Sequence, residues 1–329
     1  MFWRGPGLGR LYYKLVGMEK TAFLFAGQGS QYVGMGKDLY DSFPEAKAVF
    51  DKAENILGFD FKGFCFNGPE TSLKMTNISQ PAIVTVSIAA FEVFKVKSNI
   101  TPSFMAGLSL GEYSALIASG SLSFEDGIRL IKIRGELMEE AARKYPGKMA
   151  AVLGLSTEKI REICANSGAE LANLNCPGQI VITGRAEAID KASLLSMEQG
   201  AKRVIPLEVS GAFHSSLMSE ASLGLKKALE NTLMKDPLVP VMSNYTAFPQ
   251  EKVSQIKDSL VYQIRSSVRW EESMKFILSK GVSSFVEFGP GKVLKGLMRK
   301  IDAAAQVINI EKKEDIVVIL SPKGEESQR

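Results

Sequence analysis

A serine set between two glycines, at residues 107–111, constrains the fold of this chain more than any other feature. Gly107-Leu108-Ser109-Leu110-Gly111 has the form G-x-S-x-G. This form makes a sharp turn between a strand and a helix, called the elbow below, and lifts the serine oxygen away from the backbone. Residues 100–106 can form the strand, and the segment after Ser109 continues as a helix that closes at Gly120. The motif predicts an α/β protein with Ser109 as a candidate nucleophile.

Only one residue of the chain can supply an imidazole base, because His214 is the single histidine. A serine hydroxyl needs an adjacent base to become a good nucleophile, and histidine most often fills that role. We therefore expect Ser109 and His214 to meet in the folded protein. Asp126 and Asp190 both fall inside predicted helices, where neither is suited to be a third, acidic member of the group.

The composition is that of a globular protein, with 45% apolar and 23% charged residues. The formal net charge is +4, and Arg4, Arg10 and Lys14 supply three of those charges within residues 1–17, which contain no acid. The remainder is nearly neutral, so a nucleic-acid partner is not expected. The longest apolar run, Pro81 to Phe94, is interrupted by polar residues and is too short to span a bilayer.

The three cysteines, Cys65, Cys164 and Cys176, form no C-x-x-C pair and are too few for a disulfide framework. This usage is typical of a reducing compartment and predicts a cytoplasmic protein. No cluster of residues has metal-ligand spacing, so no metal site is expected. Residues 1–17 lack the apolar core of a secretory signal. We expect them to be a disordered extension or a start-site artefact before Met18, and residues 313–329 to be a C-terminal tail.

Between Lys148 and Pro206 the pattern changes to short alternating units. Strands and helices are predicted in the order βαββαβ, with glycines at the ends of both helices. This order is that of the split ferredoxin-like unit. Because the unit lies between the candidate nucleophile and the candidate base, we interpret residues 146–207 as a small subdomain inserted into a larger α/β body of residues 18–145 and 208–312.

The helix predicted from Asp126 to Arg143 carries an arginine on its apolar side. Leu130, Met138 and Ala141 lie on one arc at 100° per residue, and Arg134 falls in the middle of that arc. A buried guanidinium needs a partner, and the arc offers no acid. Two interpretations stay open at this point: a structural salt bridge to another part of the fold, or a clamp for a substrate carboxylate, which the planar fork of arginine suits.

Three further segments have compositions that occur in binding sites. The glycine-rich loop at 27–36 and the Gly289-Pro-Gly-Lys292 turn both lack residues that nucleotide-binding loops require. The helix from Lys292 to Ile301 places Lys292, Lys295, Arg299 and Lys300 mostly along one side. That side is either a solvated face or a docking site for an acidic partner.

Several separated motifs occur together in one order, and together they resemble a known family. They are Gly27-Gln-Gly-Ser-Gln31, Gln80-Pro81, Gly107-Leu-Ser-Leu-Gly-Glu112, Arg134-Gly135, Asn175-Cys-Pro-Gly-Gln179, Gly211-Ala-Phe-His214, Gln263 and Gly289-Pro-Gly-Lys292. From about Met18 to Ile310 the chain resembles the malonyl-CoA:acyl-carrier-protein transacylases of fatty-acid synthesis and the related acyltransferase domains of polyketide synthases.

The resemblance implies a role for each matching residue. Ser109 would be the acylated nucleophile and His214 its general base and acid. The backbone amides of Gln28 and Leu110 would form the oxyanion hole, and Arg134 would bind the substrate carboxylate. Gln80, Met138 and Asn175 would line the pocket. The backbone carbonyl of Gln263 would orient the histidine. The family usually has histidine where this chain has Leu108, which puts acyl selectivity in question. Ala212-Phe213-His214 resembles the version associated with malonyl selection.

The same resemblance implies the fold and the partners. The body would be α/β-hydrolase-like, with the active site in the cleft beside the inserted subdomain. Malonyl-CoA would be the substrate and acyl carrier protein the partner, with no cofactor and a monomeric enzyme. Two alternatives remain from the residues alone. A serine esterase or thioesterase acting on an acyl-CoA shares the nucleophile and base, and a non-catalytic carrier-protein binder would tolerate their loss.

Overall fold

The structure is a computed structural model that describes residues 20–320, with side chains as far as residue 316. The expectations for residues 1–17 and for residues 321–329 therefore lie outside the described residues. Ten strands are present: β1 Thr21–Phe25, β2 Phe104–Gly107, β3 Lys148–Leu153, β4 Glu170–Cys176, β5 Gln179–Gly184, β6 Arg203–Pro206, β7 Val241–Met242, β8 Pro249–Gln250, β9 Ser284–Phe288 and β10 Gln306–Ile310 in the described chain.

The helices surround these strands and are numbered separately. Within residues 20–320 they are α1 Lys37–Ser42, α2 Pro44–Leu57, α3 Phe61–Asn67, α4 Glu70–Leu73, α5 Thr76–Lys97, α6 Gly111–Ala118, α7 Phe124–Lys144, α8 Thr157–Ser167, α9 Ala186–Glu198, α10 Ser219–Glu230, α11 Val253–Gln263, α12 Trp270–Ser279, α13 Val293–Ile301 and α14 Lys313–Leu320. A short 3-10 helix covers Ser216–Met218.

The larger sheet has six strands in the order β10-β9-β1-β2-β7-β8. All neighbours are parallel except β7 and β8, which pair antiparallel. Every residue of β1 and β9 is buried, as expected for central parallel strands covered on both faces. Phe23 and Phe25 pack on the side that contains α5, whereas Ala22 and Leu24 pack with α12 and α13 on the other. The body is therefore a three-layer α/β/α arrangement.

Helix α5 runs through the middle of one layer. By length and composition alone it could cross a membrane, and 89% of its most apolar 18-residue window is buried inside the protein. Its aromatic residues Phe91 and Phe94 contact Phe23 of β1 and Phe288 of β9 edge to face. Packing against the sheet thus explains why this helix is so apolar.

The smaller sheet has four antiparallel strands in the order β4-β5-β3-β6. Its elements follow one another as strand, helix, strand, strand, helix, strand, and α8 and α9 pack in its own apolar cluster. The segment after α11 joins the two parts of the molecule. The Val268 amide donates to the Ala172 carbonyl (2.8 Å), and the Leu174 amide donates to the Val268 carbonyl (2.9 Å).

The structure corrects one boundary and shortens one predicted strand. Residues 313–320 form α14, and Ile316 is buried in the core, so the body continues beyond 312 and the tail predicted from 313 is wrong for these residues. The Asp315 carboxylate accepts the amides of Glu311 and Lys312, which caps the start of this helix. The strand predicted at 100–106 is only four residues long, as β2.

Candidate active site

The turn from β2 into α6 holds Ser109 in an unusual backbone conformation between two closely packed glycines. Ser109 has φ 50°, in the left-handed region that residues other than glycine seldom adopt. A Cβ on Gly107 would lie 1.9 Å from the carbonyl carbon of Gly111. A Cβ on Gly111 would lie 2.2 Å from the carbonyl oxygen of Phe25 in β1. The two glycines therefore let the turn pack directly against the neighbouring strand.

A side chain that follows β7 holds this turn from the opposite side. The Ser109 amide donates to Oδ1 of Asn244 (2.5 Å), and Nδ2 of Asn244 donates to the Gly107 carbonyl (2.8 Å). The side-chain amide of Asn244 thus links Gly107 to Ser109. Because β7 pairs with β2, the strand order of the sheet brings Asn244 to this place.

The candidate nucleophile and base meet as expected. Ser109 Oγ lies 2.8 Å from His214 Nε2, and His214 Nδ1 lies 2.9 Å from the carbonyl oxygen of Gln263. Since a carbonyl can only accept, the neutral imidazole must carry its proton on Nδ1, which leaves Nε2 free to accept the serine proton. The group that orients the histidine is therefore a backbone carbonyl of α11. His214 is itself held at φ 59°.

The surroundings keep the imidazole neutral. Burial and the nearby charge of Arg134 lower the pKa of His214 to about 4, against the opposing effect of its backbone hydrogen bonds. At neutral pH almost every molecule therefore holds the unprotonated base. This is the protonation state that removal of the serine proton requires.

Arg134 of α7 points into the same site and is only 1% exposed. Its Nη1 donates to Oε1 of Gln80 (2.7 Å), and its Nη2 donates to Ser109 Oγ (3.3 Å) and to Oε1 of Gln263 (3.3 Å). The guanidinium also lies over the ring of Tyr113, 5.3 Å from its centre. Its Nε is buried and has no hydrogen-bond partner in the described part of the chain. Over residues 20–320 no carboxylate forms an ion pair with Arg134, so the salt bridge considered above is not present there.

A cavity of about 400 Å³ opens onto the nucleophile. It is lined by Ser109 and His214 together with Gln28, Leu108 and Met138. Gln80 lies behind this wall, where its Nε2 donates to Oε1 of Gln28 (3.3 Å) and contacts Sδ of Met138 (3.4 Å). The backbone amides of Gln28 and Leu110 have no acceptor among the described residues, so both are free to bind an oxygen of a ligand.

The placement of Asn175 differs from that of Asn173, and a substrate contact of Asn175 stays a prediction. Asn175 is absent from the cavity lining, and Asn173 of the same strand lines the cavity instead. The pairing of β4 with β5 shifts register twice, between Leu171 and Asn173 and again between Leu174 and Cys176. Such bulges change which side chains of a strand face the cleft.

The sequence interpretation missed two polar residues that support the site. Glu112 was noted only as the last residue of the serine motif, and Asn244 was not noted at all. A polar residue directly after the carboxyl end of a strand next to β2 was the available signal for Asn244. For metals, residues 20–320 contain no group of three or more histidine, cysteine, aspartate or glutamate side chains that could hold an ion.

Comparison with known families identifies the family to which the chain belongs. A family model described as the acyl transferase domain matches residues 22–318, a range that includes Ser109, His214 and Arg134. The chain belongs to this acyl transferase family. The resemblance inferred from the separated motifs is confirmed at this level.

Individual relatives are similar over nearly their full length. The malonyl CoA-acyl carrier protein transacylase of Bacillus subtilis strain 168 is 47% identical over 315 residues, which are 94% of this chain and 99% of that protein. The crystal structure of the malonyl CoA-acyl carrier protein transacylase from Clostridium perfringens has a TM-score of 0.86 at 40% identity and covers 91% of this chain and 95% of that one.

A third relative is a complex. The structure of a type II PKS acyl-carrier protein with its malonyl-transacylase matches with a TM-score of 0.89 at 37% identity, over 92% of this chain and 99% of that chain. The mixed α/β fold of this acyl transferase is therefore that of known malonyltransferases, and the α/β class predicted from the elbow is confirmed.

Proposed function

We propose that this acyl transferase moves a malonyl group from malonyl-CoA to the phosphopantetheine thiol of an acyl carrier protein, and so supplies chain elongation in fatty-acid synthesis. One observation carries the proposal: the buried Arg134 contacts the Ser109 hydroxyl and has no acidic partner in the described part of the chain. A guanidinium in that position can bind a carboxylate in a bidentate manner. The malonyl group carries such a carboxylate, and an acetyl group does not.

The first half-reaction loads the enzyme. Ser109 Oγ attacks the thioester carbon of malonyl-CoA while His214 Nε2 takes the serine proton. The amides of Gln28 and Leu110 donate to the oxyanion of the tetrahedral intermediate. When the intermediate collapses, the carbon–sulfur bond breaks and His214 gives its proton to the departing thiolate. The products are free CoA and a malonyl ester of Ser109.

The second half-reaction transfers the malonyl group from Ser109 to the carrier protein. The thiol of the carrier protein gives its proton to His214 and attacks the ester carbon, and the same two amides stabilise the oxyanion. The Ser109 oxygen then leaves with the proton from His214. The Gln263 carbonyl holds Nδ1–H throughout, which keeps the imidazole in one tautomer. No bond is oxidised or reduced, so the residues need no cofactor and malonyl-CoA serves only as a substrate.

The remaining site residues shape the acyl pocket in this proposal. Gln80 accepts from Arg134 and so orients the guanidinium toward the cavity. Met138 and Leu108 line the cavity with apolar surface. Leu108 cannot donate a hydrogen bond as the family's usual histidine can, and we expect this difference to affect the choice of acyl group rather than the chemistry.

The proposal includes an architecture and a setting. We assign residues 146–207 to an inserted ferredoxin-like subdomain and the rest of the described chain to an α/β-hydrolase-like body, on the strand orders of the two sheets. All the proposed site residues come from one chain, so a monomer is sufficient. Cys65, Cys164 and Cys176 are buried free thiols, which accords with a cytoplasmic enzyme.

Loading with malonyl-CoA tests the proposed function directly. We expect the intact protein to gain the mass of one malonyl group, located on Ser109 by peptide mapping. The ester should persist in water and disappear when a phosphopantetheine-bearing carrier protein is added. Rapid release of free malonate would identify a thioesterase, and a protein that binds the carrier but never gains mass would be a non-catalytic binder.

A separate prediction concerns the docking of the carrier. Lys292, Lys295 and Arg299 line a groove of about 340 Å³ beside α13, and carrier proteins of this kind are acidic. Reversing Lys295 and Arg299 to Glu is expected to raise the KM for the carrier several-fold at low salt, because surface charge acts mainly on association. The KM for malonyl-CoA should stay unchanged. Equal carrier KM values for the wild type and the double variant would exclude this face.

A further inference from the structure

One buried carboxylate contacts residues that hold the Ser109 turn, His214 and Arg134, although it touches no substrate in the proposed mechanism. Glu112 lies in the first turn of α6 and is 1% exposed. Its Oε2 accepts two hydrogen bonds, from Nε2 of Gln263 (2.8 Å) and from the backbone amide of Asn244 (3.0 Å). Burying a carboxylate costs free energy. The groups that these two hydrogen bonds hold in place therefore explain why an acid occupies this position.

The first bond fixes the side chain of Gln263. Nε2 of Gln263 also donates to the Ser109 carbonyl (3.0 Å), and its Oε1 accepts from Arg134 (3.3 Å). Rotating this amide by 180° would turn its NH₂ group toward the guanidinium and its oxygen toward the Glu112 carboxylate, which are both repulsive contacts. The carboxylate therefore selects one orientation. In that orientation the residue whose main chain orients His214 also presents an acceptor to Arg134.

The second bond fixes the clamp on the elbow. Glu112 holds the backbone of Asn244, and the Asn244 side chain spans from Gly107 to the Ser109 amide. Glu112 also supplies negative charge near Arg134. Burial raises the pKa of Glu112 to about 7, against the opposing effects of its two hydrogen bonds and of the positive charge of Arg134. The carboxylate thus partly balances the buried cation across the Gln263 side chain.

We propose that Glu112 is a positioning residue for acyl transfer. By accepting hydrogen bonds from Gln263 and Asn244, it keeps the base, the carboxylate-binding arginine and the nucleophile turn in fixed positions relative to one another. The selectivity part of this inference rests on the proposed malonyl transfer. A purely structural role for Glu112 would affect stability alone. A positioning role affects kcat and the preference for malonyl over acetyl as well.

The chain offers a matched control in Glu287 of β9. This carboxylate is also fully buried and also accepts two hydrogen bonds, here both from backbone amides, those of Leu294 (2.8 Å) and Lys295 (3.0 Å) at the start of α13. Burial likewise raises its pKa to about 7. It forms no hydrogen bond with a residue of the proposed site, so Glu287→Ala reproduces the structural loss without the positional one.

The experiment compares Glu112→Ala, Glu112→Gln and Glu287→Ala for melting temperature and for kcat with malonyl-CoA and acetyl-CoA. Both alanine variants should melt earlier. Only Glu112→Ala should lose kcat for malonyl, by about a hundredfold, as expected for a small misplacement of reacting groups, and its malonyl preference should fall too. Glu112→Gln should recover most of kcat, because one amide oxygen can accept both bonds held by Oε2.

Two results would overturn the inference: wild-type kcat and malonyl preference in Glu112→Ala, or equal losses of both in Glu287→Ala. If Glu112→Ala does not fold, Glu112→Asp takes its place, since it keeps the charge but withdraws the acceptor by one methylene, and unchanged kcat there would equally refute the positioning role. A wild-type protein that forms no malonyl ester would instead refute the proposed function. The variants would then be compared on the acyl-CoA that the wild type does load.

Discussion

Replacing Ser109 by Ala is expected to abolish the acyl-enzyme, and replacing His214 by Ala is expected to slow its formation by about 10⁴-fold or more. In the proposed mechanism Ser109 Oγ forms the ester, and His214 Nε2, 2.8 Å away, accepts its proton. The chain has no second histidine to take over. Intact mass after mixing with malonyl-CoA, followed over time, measures both effects.

A buried serine of the helix that follows the Ser109 turn provides the control. Ser114 of α6 is fully buried, and its hydroxyl has no hydrogen-bond partner among the described residues. Ser114→Ala should therefore load malonyl at the wild-type rate, which separates loss of the nucleophile from a general disturbance of α6. His214→Ala should stay folded, with a cooperative melting transition. Transfer by His214→Ala at close to the normal rate would contradict the assigned base.

Replacing Arg134 by Ala is expected to reduce kcat/KM for malonyl-CoA by about 30- to 900-fold, which corresponds to about 2–4 kcal/mol of transition-state stabilisation. The substitution removes the charge-assisted contact to the malonyl carboxylate. Loading from acetyl-CoA should survive or improve, because an uncharged acyl group no longer faces an unpaired guanidinium. The measurement is the rate of loading from each acyl-CoA, together with the melting temperature.

Arg129, on the same helix α7, is the matched control. Its side chain is 60% exposed and forms an ion pair with Asp126 of the same helix. Arg129→Ala should leave both loading rates unchanged. If Arg134→Ala instead lost malonyl and acetyl loading in parallel, with a large fall in melting temperature, Arg134 would be a structural residue. Malonyl selection would then need another explanation.

Short-range sequence patterns were sufficient for the elbow and for its chemistry. The glycines at 107 and 111 are required because a Cβ at either position would clash with backbone, and that requirement is visible in five consecutive residues. The buried position of Arg134 followed from helical periodicity alone, since a residue in the middle of an apolar arc must face the core. The single histidine left no choice of base.

The pocket wall and the chain end could not be predicted in the same way. Strand alternation assumes regular pairing, and the two register shifts in β4 bring Asn173 rather than Asn175 to the cavity. The segment 313–320 is polar at its start, yet Ile316 packs into the core and the Lys313 amide donates to Asp38. These contacts join residues far apart along the chain, and no local pattern reports them.

The sequence by itself determined the candidate nucleophile, the buried arginine and the α/β class, because each depends on steric or periodic rules that act within one element. It determined the candidate base because the chain has one histidine. Only the tertiary structure decided how they are held. Glu112 has the sequence appearance of an ordinary acid in the first turn of a helix. It acquires its place at the centre of the site from Asn244 and Gln263, which lie 132 and 151 residues away. Hydrogen bonds across such separations exist only after the strands and helices have packed.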